Sequence, residues 1–259
     1  MSVRLDRLAT ANVGEGSRTV VFVHGFTQTK KSWMPLLDEL APRMPNTRYL
    51  LVDLPGHGGS AAISASLRDT AELLVEVGGY ATYVGYSLGA RVVLHAALAH
   101  PELLQSCVLI SGTPGIEDED ERARRRANDE QLADRIITIG TRTFIDEWLA
   151  QPLFSSLTRE QAGRDERLVN TPEGLANSLR TSGTGTQNNL WPRLGEVSTR
   201  TLLVVGERDQ KFLEIARRMS KALPNAPLSV ISSAGHSTHL EQPAKVAVDL
   251  ARFLNREVA

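Results

Sequence analysis

Only one cysteine is present, so no disulfide can form within the chain. Cys107 stands in the apolar run Cys-Val-Leu-Ile, where a small core residue is expected. Charge of one sign is also missing: 29 lysines and arginines face 30 acidic residues, for a net charge of −1. That balance supplies no global field for a polyanion or an anionic lipid surface, so neither nucleic acid nor membrane is an expected partner. No apolar run approaches the ~18 residues of a membrane span, and the opening MSVRLDRLAT lacks the basic-then-apolar order of a secretion signal. A cytoplasmic location follows as the expectation. There is no internal repeat, no low-complexity tract, no cluster with metal-ligand spacing and no Gly-x-Gly-x-x-Gly after a strand. No metal or organic cofactor is expected. What remains is 259 residues, 41% hydrophobic and 23% charged, the make-up of one large folded domain or of a domain with an insertion.

Short apolar runs alternate with helical patterns through the first half. Thr19–His24, Tyr49–Asp53, Ala81–Tyr86 and Cys107–Ser111 are compact and apolar, as strands buried on both faces should be. Ser32–Leu40, Ser66–Val77 and Leu88–Ala99 lie between them as helices. Thr201–Gly206 and Leu228–Ser232 add two late strands around a helix near Phe212–Leu223, and Pro243–Asn255 opens with the proline favoured in a first helical turn. Val3–Thr10 is a candidate outer strand. This alternation predicts an α/β class with a mostly parallel sheet covered by helices on both faces. The pattern breaks between Gly112 and Trp191, which is polar, charged and poor in β runs. Residues 113–191 are read as a helical lid inserted into a core of residues 1–112 and 192–259. A second independent domain is the alternative, but so few large apolar groups would make a thin core.

Gly85-Tyr86-Ser87-Leu88-Gly89 joins a β run to a helix. Gly-x-Ser-x-Gly at such a junction lets a sharp turn hold the serine above the sheet, with free N–H groups of the helix behind it. A serine so placed needs a histidine, and the histidine a carboxylate that fixes its tautomer. The chain order expected on this sheet is serine, acid, histidine. Asp209 in Gly-Glu-Arg-Asp and His236 in Ala-Gly-His-Ser follow the last two strands; Glu207 and His239 are their competitors. Oxyanion donors should be backbone amides: Leu88, next after the serine, and Phe26 in His-Gly-Phe-Thr after the first long strand. His57, in Leu-Pro-Gly-His-Gly, is read as a structural hydrogen-bonder. HGF, DLPGHG, GYSLG, GERD and GH together resemble the α/β-hydrolase fold over most of the chain, a fold that hosts esterases, lipases, carbon–carbon bond hydrolases and some lyases.

Arg91, four residues after Ser87 in an otherwise apolar helix, needs a partner. An acidic substrate and an internal carboxylate are equally compatible with its spacing. In the segment IEDEDERARRRANDE the pairs Asp118/Arg122, Asp120/Arg124 and Glu121/Arg125 stand four apart, the signature of an exposed, charge-laced helix. Trp148 suits either a pocket wall or lid core. The segments PGIEDEDERARRRANDEQLA, FIDEWLAQPLF and SGTGTQNNLWPRL, with GYSLGARV, GERDQKF and GHSTHLEQP, resemble the 2-succinyl-6-hydroxy-2,4-cyclohexadiene-1-carboxylate synthases, lyases of menaquinone biosynthesis. That resemblance implies a Ser87, Asp209 and His236 triad. It also implies that Arg91 and Arg125 hold the carboxylates of a small polycarboxylate substrate, with Tyr86 and Trp148 lining the pocket. The implied reaction is elimination of pyruvate. Ala90 departs from the family, which more often has glycine there; its extra methyl is expected to be tolerated, at the cost of a narrower site. The competing readings are a carboxylesterase or carbon–carbon bond hydrolase on the same scaffold, and a relative that only binds. An intact triad argues against the last. Nothing in the sequence speaks to oligomeric state.

Overall fold

The computed structural model describes residues 7–255. In chain order the elements are β1 (Thr10–Val13), β2 (Arg18–Val23), α1 (Met34–Leu40), β3 (Thr47–Val52), α2 (Leu67–Gly78), β4 (Ala81–Tyr86), α3 (Leu88–Ala99) and β5 (Leu104–Ile110). There follow α4 (Glu119–Leu149), α5 (Arg164–Arg167), α6 (Pro172–Ser182), β6 (Thr201–Gly206), α7 (Gln210–Ala222), β7 (Leu228–Ile231), α8 (Thr238–Glu241) and α9 (Pro243–Asn255). One seven-stranded sheet runs in the order β1-β3-β2-β4-β5-β6-β7. All neighbours are parallel except β1, which pairs antiparallel with β3.

Both faces of the sheet are buried. Along β2, Val21 and Val23 face the layer that holds α2 and α3, while Val20 and Phe22 face α1 and α9. Every residue of β4 is buried, which is why its sequence reads as a continuous run and not as an alternation. The expected strands and helices are found with ends shifted by at most three residues, a normal margin for fraying termini. Ser66 illustrates the local logic: its hydroxyl accepts the Asp69 N–H and so starts α2. The outer strand is displaced from Val3–Thr10. Residues 3–6 lie outside the described residues, and the ladder begins at Thr10, where Ala9 O has already accepted the Asp53 N–H.

Residues 113–191 contain no strand. The helix α4 bends at Gly140 (φ 73°, ψ 165°), which turns Phe144, Ile145 and Trp148 back towards α6. Ala133, Ile136, Phe144 and Ile145 bury against Leu175, Ala176 and Leu179, and Phe26 of the sheet edge packs on the same cluster. The helices therefore sit over the carboxyl ends of the strands, where ligands bind in open parallel sheets. No helix among the described residues is long and apolar enough to cross a membrane.

Candidate active site

Ser87 occupies the turn between β4 and α3 at φ 51°, ψ −105°, a strained conformation for a non-glycine residue. The flanking glycines are required by contact. A Cβ on Gly85 would lie 2.4 Å from Gly89 O, and one on Gly89 would lie 2.0 Å from Val23 O. The helix thus presses directly on strand β2, and the serine is lifted where the two meet.

His236 Nε2 is 3.2 Å from Ser87 Oγ, and His236 Nδ1 is 2.6 Å from Asp209 Oδ2. Asp209 is the N-cap of α7, its other oxygen accepting the Phe212 N–H at 3.4 Å. The His236 backbone is held by Ser111, whose hydroxyl donates to its carbonyl at 2.8 Å. Glu241 accepts the N–H groups on either side, from Gly235 at 2.6 Å and Ser237 at 3.0 Å. The competitors are occupied elsewhere. Exposed Glu207 accepts the Ser233 N–H at 3.0 Å. His239 is fully buried between Trp33 and Tyr86, and burial together with the charge of Arg167 holds its pKa well below the usual range.

A cavity of about 190 Å³ opens beside Ser87 and His236, lined also by Phe26, Leu88, Tyr86, Arg91, Arg125 and Trp148. Of the residues expected in the triad, the oxyanion site and the substrate pocket, all but Asp209, which stands behind the histidine, line this one space. Among the described residues no group accepts from the Phe26 or Leu88 amide. Tyr86 contributes its ring, since its hydroxyl bonds Ser237 Oγ at 2.7 Å. Trp148 stacks against Phe144 at 5.8 Å and leaves its buried indole N–H without a partner. Ala90 does not narrow the cavity: its methyl abuts Gly112, where an added Cβ would stand 2.8 Å away.

Among the described residues four cations line the cavity, Arg91, Arg125, Arg167 and Lys211, and no carboxylate does. Arg91 is buried and donates only to Gly183 O (3.3 Å) and Gln187 Oε1 (3.4 Å), with no carboxylate in ion-pair reach among the described residues. Burial, then the charge of Arg125, pull its pKa down to about 9 against the opposing pull of Asp129. Arg125 does not pair with Glu121. It turns to buried Asp129, Nε to Oδ1 at 2.8 Å, and lines the cavity while its own side chain stays 40% exposed. Nor do the other two spacings form pairs: Asp118 caps α4 through the Glu121 N–H, and Arg122 pairs with Glu119. Arg167 is likewise buried, and burial lowers its pKa to about 10. It donates to Ala162 O at 2.8 Å and to Thr27 Oγ1. Arg167 and Lys211 escaped the sequence reading. Arg167 looks like one more charge in GRDERLVN; Lys211 carried a weak signal, two residues beyond the acid Asp209 at the start of α7. Among the described residues no three His, Cys, Asp or Glu side chains are grouped to hold a metal ion.

A serine at a strand-to-helix turn, a histidine and aspartate on later loops, and a parallel sheet with helices on both faces define a class, and the sequence agrees. The chain belongs to the alpha/beta hydrolase family, whose sequence model matches residues 20–250. Within it, the chain is 35% identical to the 2-succinyl-6-hydroxy-2,4-cyclohexadiene-1-carboxylate synthase of Salmonella schwarzengrund, over 92% of this chain and 94% of that protein. A Bacillus subtilis protein provisionally named for the same synthase is 36% identical over 96% of this chain and 94% of its own length. The structure of MenH from S. aureus superposes with a TM-score of 0.88 at 31% identity, covering 96% of this chain and 99% of that one. An esterase from Thermogutta terrifontis, 22% identical with a TM-score of 0.81, shares the fold.

Proposed function

We propose that this protein is a carbon–oxygen lyase of menaquinone biosynthesis. It would eliminate pyruvate from 2-succinyl-5-enolpyruvyl-6-hydroxy-3-cyclohexene-1-carboxylate to leave 2-succinyl-6-hydroxy-2,4-cyclohexadiene-1-carboxylate. The observation that carries this reading is the cavity that joins Ser87 and His236 to four cations with no acidic side chain. Buried guanidinium groups without carboxylate partners are costly, and a substrate bearing several carboxylates supplies what they lack. A hydrolase of neutral esters would need the serine and its helpers but not the arginines. Relatives named for this synthase over more than nine-tenths of the chain support the same substrate.

The chemistry needs a base, a place for negative charge and a proton for the leaving group. His236, its tautomer fixed by Asp209, takes the Ser87 proton, and the serine oxygen removes the proton from the ring carbon that bears the succinyl group. Charge moves onto the succinyl carbonyl, where the Phe26 and Leu88 amides are free to donate. As that enolate collapses, the ring C–O bond breaks, enolpyruvate departs, and a proton returned from His236 completes pyruvate. Arg91, Arg125, Arg167 and Lys211 hold the carboxylates, and Trp148 has an N–H to offer. Residues 113–191 act as the lid that keeps water from the enolate.

Pyruvate release from the enolpyruvyl substrate, generated in situ and coupled to lactate dehydrogenase, tests the proposal with wild type and Ser87→Ala side by side. Release that depends on Ser87 is the expected result. Release no faster than the uncatalysed background overturns the lyase reading and leaves a hydrolase of another substrate.

A further inference from the structure

Thr27 sits in a backbone conformation that threonine avoids. Its φ is 68°, and it is the one β-branched residue among the described non-glycine residues with positive φ. It is also fully buried. Strain of this kind persists only where the surroundings over-determine it.

The surroundings do so through every polar group Thr27 carries. Its N–H donates to His57 Nε2 at 3.2 Å, its carbonyl accepts from Asn170 Nδ2 at 2.8 Å, and its hydroxyl oxygen accepts from the Arg167 guanidinium. The partners are themselves fixed. His57 Nδ1 bonds Pro55 O at 2.9 Å, which makes Nε2 the acceptor, and burial pulls the ring's pKa down to about 3, so that acceptor stays unprotonated. Asn170 Oδ1 accepts the Gly58 N–H at 2.8 Å. On the other side of Phe26, the Gln28 N–H donates to Gly25 O at 3.1 Å and the Gly25 N–H to Gln28 Oε1 at 3.1 Å. Phe26 is therefore clamped from both neighbours, in a turn whose amide is free and whose cavity is shared with Ser87. Arg167 belongs to both systems, lining the cavity while bonding Thr27.

We propose that Thr27 is a positioning residue for the oxyanion site. Its anchored peptide holds the Phe26 amide in place, and Arg167 and Asn170 act on the reaction through it, separately from any grip on the substrate. This rests on the reading of Phe26 N–H as an oxyanion donor. A misplacement of about 1 Å in such a donor is enough to cost on the order of 100-fold in rate.

The test compares Thr27→Val, which removes the hydroxyl, with Thr27→Ser, which keeps it, and with Asn170→Ala, which frees the carbonyl from outside the cavity. Two rates are read: kcat and KM for pyruvate release, and phosphonylation of Ser87 by a fluorophosphonate followed by intact mass. The second uses the oxyanion donors but neither the arginines nor the enolpyruvyl substrate. Thr27→Val and Asn170→Ala are expected to lose at least about tenfold in kcat and in phosphonylation rate, with KM within about threefold; Thr27→Ser keeps both rates within about threefold. Rates for Thr27→Val and Asn170→Ala within about twofold of wild type overturn the proposal, as does a loss confined to KM. If Thr27→Val does not fold, Asn170→Ala decides. A wild type that releases no pyruvate refutes the lyase reading, while phosphonylation still decides the role of Thr27.

Discussion

Arg91 is buried among carbonyl oxygens with no carboxylate in ion-pair reach among the described residues. A charge so placed lowers stability, and an apolar side chain of similar length relieves that cost. Arg91→Met is therefore expected to keep or raise the melting temperature while kcat/KM for pyruvate release falls about 10- to 100-fold, the worth of one or two charge-assisted hydrogen bonds. Arg125 behaves differently because it already has a partner. Arg125→Ala leaves the buried Asp129 carboxylate without its cation, held only by the Gly185 N–H, so stability drops by about 1–3 kcal/mol and kcat/KM falls well beyond twofold. Thermal melts beside steady-state kinetics separate the two arginines: one trades stability for binding, the other contributes to both. The sequence placed Arg91 four residues from Ser87 but left open what pairs with it, since a partner from residues 183–187 has no local signal.

Among the elements, the β4–Ser87–α3 turn was the most legible. Its glycines, its apolar strand and its helix all agree on one backbone path, and local agreement of that kind is what sequence patterns report. The close approach of α3 to β2 gives a direct prediction. Gly89→Ala puts a methyl 2.0 Å from Val23 O, backbone that cannot swing aside. A loss of about 1–3 kcal/mol in denaturant unfolding is expected, with near-abolition of Ser87-dependent activity as the turn shifts. The helix α4 was only half legible. Its helical, charge-laced character was visible, but the cap at Asp118, the bend at Gly140 and the turning of Arg125 towards Asp129 were not, and the last two depend on packing against α6.

For the whole molecule, buried histidines set the response to acid. Burial lowers the pKa of His24 to about 4 and of His57 to about 3, and His95, half-buried near Arg91 and Arg193, is lowered to about 4. Between these values and the ordinary 6.5, the unfolded chain binds protons that the folded chain refuses. Stability is thus fully present above about pH 6.5 and lost as pH falls towards 4, by about 1 kcal/mol per histidine per pH unit. Urea midpoints measured from pH 7.5 to 4.5 should fall steadily. His57→Gln, which keeps an acceptor but no titrating ring, should flatten part of that slope.

The amino-acid sequence by itself determined the parallel sheet, the serine turn, the order of serine, acid and histidine, and the helical character of residues 113–191. All of these follow from local periodicity, from glycines at tight contacts and from short loops at strand ends. Only the tertiary structure decided which cations share the cavity, that Arg167 reaches across to Thr27, and that the Gly185 N–H holds Asp129 behind Arg125. Those relations join segments up to 140 positions apart, and side chains from different segments meet only where packing has fixed both backbones.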